Sequence, residues 1–226
     1  MELKAKSISK KFPRLRGGAN FFYALQETDF SAEGGTLVVI TGRSGGGKTT
    51  LLNILGGLLK PSSGTVTVDG ENLYRMDDKE LSEFRNRRIA VIPQGVSAVY
   101  TLTVLENVLL PTMMYGKRTA ENVSRAEELL RKFGIGDLRD AKPSELSGGE
   151  LRRMAIARAM MTEPEIILAD EPTGDLDDEN TAIVLGILRS AADGGAAVVV
   201  ISHDAETLQY ADVNYRMDGG KLDIVQ

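Results

Sequence analysis

The run Gly42-Arg43-Ser44-Gly45-Gly46-Gly47-Lys48-Thr49 constrains this chain more than any other feature. Its glycines let the backbone curl so that consecutive N–H groups point at one place, the arrangement that receives phosphate oxygens. Thr36 to Thr41, just before it, is a compact β-branched run with the pattern of a fully buried strand. Thr49 to Leu59, just after it, has helical spacing. Strand, glycine loop and helix are the context a phosphate-binding loop demands, and the helix adds its positive N-terminal end. Gly42 to Thr49, with Thr50, is therefore expected to hold ATP. Lys48 would reach the β- and γ-phosphates, and the Thr49 hydroxyl would ligate Mg2+. A flexible turn is the bland explanation of the glycines, and the flanking elements argue against it.

The remaining pattern supports an α/β fold. Leu3 to Ser9 and Ala24 to Phe30 alternate as half-buried strands do, with Arg14 to Asn20 as a turn between them. Val66 to Val68, Ile89 to Ile92, Ile166 to Ala169 and Ala197 to Ile201 read as further strands. Thr103 to Phe133 reads as helical, interrupted at Pro111 and Gly116, and Gly148 to Met161 and Glu179 to Ala191 read as helices. Val213 to Val225 reads as a hairpin around Asp218-Gly219-Gly220. Strands alternating with helices predict a mainly parallel sheet with helices on both faces.

Composition narrows the function classes. With 226 residues the chain can bury a sizeable core. It has no cysteine, which excludes disulfides, thiolate metal sites and cysteine nucleophiles and suits a reducing compartment. A net charge of −5 argues against broad nucleic-acid binding. No apolar run is long enough to span a bilayer, and Met1 to Lys4 begins no signal-peptide core, so membrane association is expected only through a partner.

Two further motifs carry chemistry. Ile166 to Ala169 runs into Asp170-Glu171, which places two carboxylates at the carboxyl edge of the sheet, where open α/β folds bind ligands. Asp170 would hold Mg2+, and Glu171 would orient or deprotonate an attacking water. Leu146-Ser147-Gly148-Gly149-Glu150 opens the helix that continues through Leu151-Arg152-Arg153. Alone, it is a well-capped helix start.

Together these motifs resemble the nucleotide-binding subunits of ATP-binding-cassette (ABC) transporters. The resemblance covers essentially the whole chain, in the family's order: glycine loop, Gln94, Leu146 to Glu150, Asp170-Glu171, Asp175-Leu176-Asp177, His203. Glu150 departs from the glutamine that usually ends the family signature. Asp170 to Asp178 and Leu102 to Val108 are similar to a subgroup serving macrolide export, lipoprotein release, antimicrobial-peptide resistance and cell division.

The resemblance implies a P-loop NTPase fold over residues 1–226: a mainly parallel core sheet, an antiparallel β part (with the core, 1–93 and 162–226) and a helical lobe at about 94–161. It also implies a homodimer with ATP at the interface, in which Ser147, Gly148, Gly149 and Glu150 of one copy face Lys48 of the other. A helix N-terminus there would present N–H groups to the γ-phosphate. Gln94 would sense the γ-phosphate and Mg2+, and His203 would hydrogen-bond the γ-phosphate. Phe12 would stack on adenine, with Tyr23 as the alternative, and Asp175 and Asp177 would link the two sites. The implied partner is an integral-membrane permease, at the cytoplasmic face of the membrane.

Four activities fit in descending order. The first is an ATPase driving export or extraction, and the second an ATPase regulating a membrane partner without transport. The third is a soluble ABC protein of DNA repair or translation. Against it, Lys48 and Ser147 are too close for the coiled-coil insertion of repair types, and only one cassette is present. The fourth, a non-enzymatic binding module, is disfavoured by the presence of Glu171 and His203.

Overall fold

In the computed structural model, residues 1–14, 21–95, 97–114, 116, 118–174 and 176–225 are described. Most of the turn expected at Arg14 to Asn20, and Asp175, lie outside them. The centre is a six-stranded sheet in the order β10-β9-β3-β8-β7-β6. Its strands are β3 (Leu37–Gly42), β6 (Ile89–Ile92), β7 (Ile166–Asp170), β8 (Ala197–Ile201), β9 (Val213–Asp218) and β10 (Lys221–Ile224). All neighbours run parallel except β9 and β10, which form the expected hairpin.

Strands β7 and β8 explain why the sheet is central. Every residue of β7 and β8 is buried, as near-continuous apolar runs must be when both faces are covered. Burying each such valine or isoleucine contributes about 1.5–3 kcal/mol. Alternate residues of one strand serve different cores. Val39, Val198, Val200 and Ile167 pack with α3 (Val104–Met114), α4 (Ala120–Lys132), α5 (Gly148–Ala159) and α6 (Asp178–Asp193). Val38, Val199, Ile201 and Leu168 pack with α1 (Lys48–Leu55) and a second sheet.

That second sheet is the antiparallel β part the resemblance implies, and it narrows the expectation drawn from strand–helix alternation. Helices do not share both faces equally, because a four-stranded antiparallel sheet, in the order β2-β1-β4-β5, covers much of one face beside α1. Its strands are β1 (Glu2–Pro13), β2 (Phe21–Glu33), β4 (Ser63–Val68) and β5 (Glu71–Asn72). Leu3, Ala5 and Ile8 of β1, Leu25, Phe30 and Ala32 of β2, and Val66 and Val68 of β4 are its buried apolar contribution.

Three other differences have local causes. Pro111 does not interrupt α3, which runs through it. The helix is held by Val104, Leu105, Val108 and Leu109, all buried, and packing overrides the roughly 3 kcal/mol penalty of an interior proline. α1 ends at Leu55, well before Leu59, because Gly56 and Gly57 follow and the N–H groups of Leu58 and Leu59 turn back to the Asn53 carbonyl. α2 (Asp78–Arg88) is an additional helix, opened by an Asp77–Glu80 capping box and burying only Phe84. With one buried side chain it has no apolar stripe to betray it in the sequence. A short α7 (Ala205–Leu208) follows β8.

Candidate functional site

The glycine loop leaves the carboxyl end of β3 and enters α1. Gly42 has φ +141, and a Cβ there would lie 2.0 Å from the Met217 carbonyl oxygen. Gly47, the residue before α1, has φ +105, and a Cβ there would lie 2.1 Å from the Ala24 carbonyl oxygen. No side chain can occupy either position without moving β2 or β9. The loop is further tied to the hairpin by the Gly220 N–H, which donates to the Gly46 carbonyl at 3.0 Å. No side chain caps the start of α1 and no acid sits in its first turn. Its first N–H groups are therefore available to an anion.

Lys48 is buried, with its ammonium donating to the carbonyls of Gly42 (2.7 Å) and Arg43 (3.0 Å). Burial holds its pKa below the usual lysine value, against the upward pull of Glu171 and Asp170. The Thr49 hydroxyl donates to Asp170 Oδ2 at 2.6 Å, so the end of β7 and the start of α1 share one polar contact.

Glu171 follows β7 with φ +47, a left-handed conformation for a side chain that disfavours it, costing about 1–3 kcal/mol. Its N–H donates to the Ile201 carbonyl at 2.9 Å. Its carboxylate accepts from Gln94 Nε2 at 2.6 Å on Oε2 and lies 3.2 Å from His203 Nε2 through Oε1. His203 Nε2 also stands 3.3 Å from the Lys48 ammonium. One imidazole nitrogen thus sits between a donor and a carboxylate. Gln94 follows β6 and His203 follows β8, so three adjacent parallel strands deliver Gln94, Glu171 and His203 to one edge.

These groups line one cleft of about 350 Å3, with Ser44 to Thr50 forming its floor. Phe12, Phe22 and Tyr23 line its far end. Phe12 and Phe22 stack with centroids 5.8 Å apart, and the Lys10 ammonium lies 5.2 Å from the Phe12 centroid. Sequence reasoning considered Phe12 and Tyr23 and missed Phe22. The register pairs Phe12 with Phe22 across β1 and β2, and that pairing is not legible without the turn.

The oxygen set suits Mg2+. A hydroxyl and a carboxylate are paired at 2.6 Å, and no group of three or more His, Cys, Asp or Glu able to hold a metal occurs among the described residues. Magnesium keeps several waters and takes substrate phosphates as ligands, so Thr49 and Asp170 are the kind of partial donor set it uses.

Ser147 to Glu150 are not among the residues lining this cleft. Ser147 and Gly148 are exposed, and nothing lies within 4 Å of a Cβ built on Gly148. Ser147 caps α5 in a capping box: its Oγ accepts from the Glu150 N–H (3.3 Å), and its N–H and hydroxyl both donate to Glu150 Oε2 (2.8 Å each). Those bonds, from the Ser147 backbone first and its hydroxyl second, lower the Glu150 pKa. Asp177 caps α6, accepting from the Asn180 N–H at 2.8 Å.

A model of the ABC transporter family matches residues 25–174. The chain belongs to the ABC transporter family. It is 38% identical over 221 residues to the lipoprotein-releasing system ATP-binding protein LolD of Chromohalobacter salexigens, covering 97% of this chain and 92% of that protein. It is 42% identical over 220 residues to the macrolide export ATP-binding/permease protein MacB of Mannheimia succiniciproducens, covering 97% of this chain but 34% of that longer protein. Among solved structures it is similar to the dimeric ATP-binding cassette MJ0796 in a post-hydrolysis state with ADP and Pi. There the TM-score is 0.90 and the identity 33%, with 99% of each chain covered. The fold is that of an ABC cassette, and the chain is an ATP-binding ATPase of that family. No described helix of this cassette is long and apolar enough to cross a membrane.

Proposed function

We propose that this cassette powers an integral-membrane permease from the cytoplasmic face of the membrane, for export or extraction of an antimicrobial, peptide or lipoprotein substrate. The observation that carries the reading is the meeting of Lys48, Thr49, Asp170, Glu171, Gln94 and His203 at one sheet edge. The names and lengths of the LolD relatives, which are separate ATP-binding proteins of similar size, support a separate permease partner.

In this reading the N–H groups of Gly45 to Thr50 receive the phosphates, and Lys48 turns from the Gly42 and Arg43 carbonyls to the β- and γ-phosphates. Phe12, beside Phe22, stacks on adenine; Tyr23 is the alternative. Thr49, Asp170 and Gln94 would hold Mg2+, which would neutralise phosphate charge there. Glu171 exchanges its contacts with Gln94 and His203 for a water and takes its proton. His203 then donates from Nε2 to the γ-phosphate. Residues 94–161 act as a lobe that carries Ser147, Gly148, Gly149 and Glu150 to the nucleotide of a second copy, and Asp175 and Asp177 link the two sites.

Phosphate release from purified protein tests the catalytic half. Glu171→Gln should lower kcat by about a hundredfold or more, the scale of a lost general base; equal rates would sink the assignment. Co-purification from detergent-solubilised membranes tests the other half. Recovery of a permease whose presence raises the ATPase rate is expected. A cassette recovered without any integral-membrane protein would contradict it.

A further inference from the structure

Arg152 sits one turn into α5 and is 3% exposed. Its Nη1 donates to the carbonyls of Pro93 and Gln94, each at 2.7 Å. Its Nε donates to Pro172 O at 3.1 Å, and its Nη2 to Asp170 O at 3.1 Å and to Glu171 O. A guanidinium presents its N–H donors in a rigid planar fork, so these contacts hold two separate chain segments at a fixed spacing. One segment follows β6 and carries Gln94; the other follows β7 and carries Glu171. The side chains of those residues meet at 2.6 Å. The second segment also holds Glu171 in its left-handed conformation, which persists only where the surroundings over-determine it. A buried cation in a helix whose neighbouring residues are also buried needs such acceptors to be tolerated.

We propose that Arg152 is a positioning residue for hydrolysis: it clamps the Gln94 and Glu171 segments together and to α5, fixing where the Glu171 carboxylate stands. The proposal rests on Glu171 as the group that activates water. Arg152 lies beyond the cleft lining, so it governs turnover and not affinity. The Ser147–Glu150 cap is independent of it, so ATP-dependent pairing of two copies survives its loss.

The test compares wild type, Arg152→Gln, Arg152→Lys and Glu171→Gln in the full chain. The readouts are kcat and KM for phosphate release, ATP affinity by equilibrium titration, and mass with ATP and Mg2+ by size-exclusion light scattering. Arg152→Gln should lose about tenfold to a hundredfold in kcat, the scale of an ångström-sized misplacement, with ATP affinity within about twofold of wild type. It should also accumulate the ATP-bound dimer. Arg152→Lys, a point charge unable to span both segments, should fall between the two. If Arg152→Gln does not fold, Arg152→Lys carries the test, with at least about a threefold loss of kcat at unchanged affinity. A folded variant with wild-type kcat, or with affinity falling in step with kcat, overturns the proposal. Normal turnover by Glu171→Gln overturns the underlying reading instead.

Discussion

At the scale of single residues, Lys48 shows how a phosphate cradle is poised. Its ammonium is parked on two carbonyls and buried, so its charged form is disfavoured relative to the unfolded chain. Between the lowered folded pKa and the ordinary value of 10.5, the unfolded state binds more protons. This residue therefore weakens the fold at neutral pH, and the penalty fades as pH rises toward 10.5. Bound phosphates reverse the preference by favouring the ammonium. ATP affinity should therefore weaken as pH rises from neutral through the lowered Lys48 pKa. A titration series in alkaline buffers checks it. Lys48→Arg, which stays protonated, should lose that dependence; an equally steep slope in the variant would refute the link.

Elements determine which groups can meet. β6, β7 and β8 end side by side, so residues distant in sequence converge without any long-range signal in the sequence itself. Helix caps act more locally. Asp77 accepts from the Glu80 N–H at 2.8 Å at the start of α2, outside the cleft lining. Asp77→Ala should cost about 1 kcal/mol and lower Tm by about 2–4 °C for a domain of this size, leaving phosphate release unchanged. A calorimetric scan with a parallel ATPase assay decides; altered turnover would mean α2 reaches the site.

The elements also explain what was legible. β3, the glycine loop and α1 were, because apolar runs and glycines at φ +141 and +105 leave local traces. The antiparallel sheet came only with the family resemblance and not from the strand pattern, because alternating strands do not name their partner sheet. Sequence alone assigns Arg152 no role beyond its place in the helix. Its signal lay in α5 itself, where two adjacent arginines precede Met154 to Ala157 in a run that is buried throughout. Charges in such a run must have dedicated acceptors.

For the whole molecule, the question is why Ser147 and Gly148 stand exposed, outside the cleft that Lys48, Thr49, Gln94, Glu171 and His203 line. A capped helix N-terminus directed away from its own chain's nucleotide is explained if it completes the site of a second copy. The protein would then hydrolyse ATP only as a pair, and opening and closing of the pair would be the motion delivered to a permease. The direct measurement is the mass of Glu171→Gln by analytical ultracentrifugation with ATP and Mg2+. A species of twice the monomer mass, reverting to monomer when Ser147→Arg is added, is the expected result. A Glu171→Gln chain that binds ATP yet stays monomeric at every protein concentration tested would contradict the account.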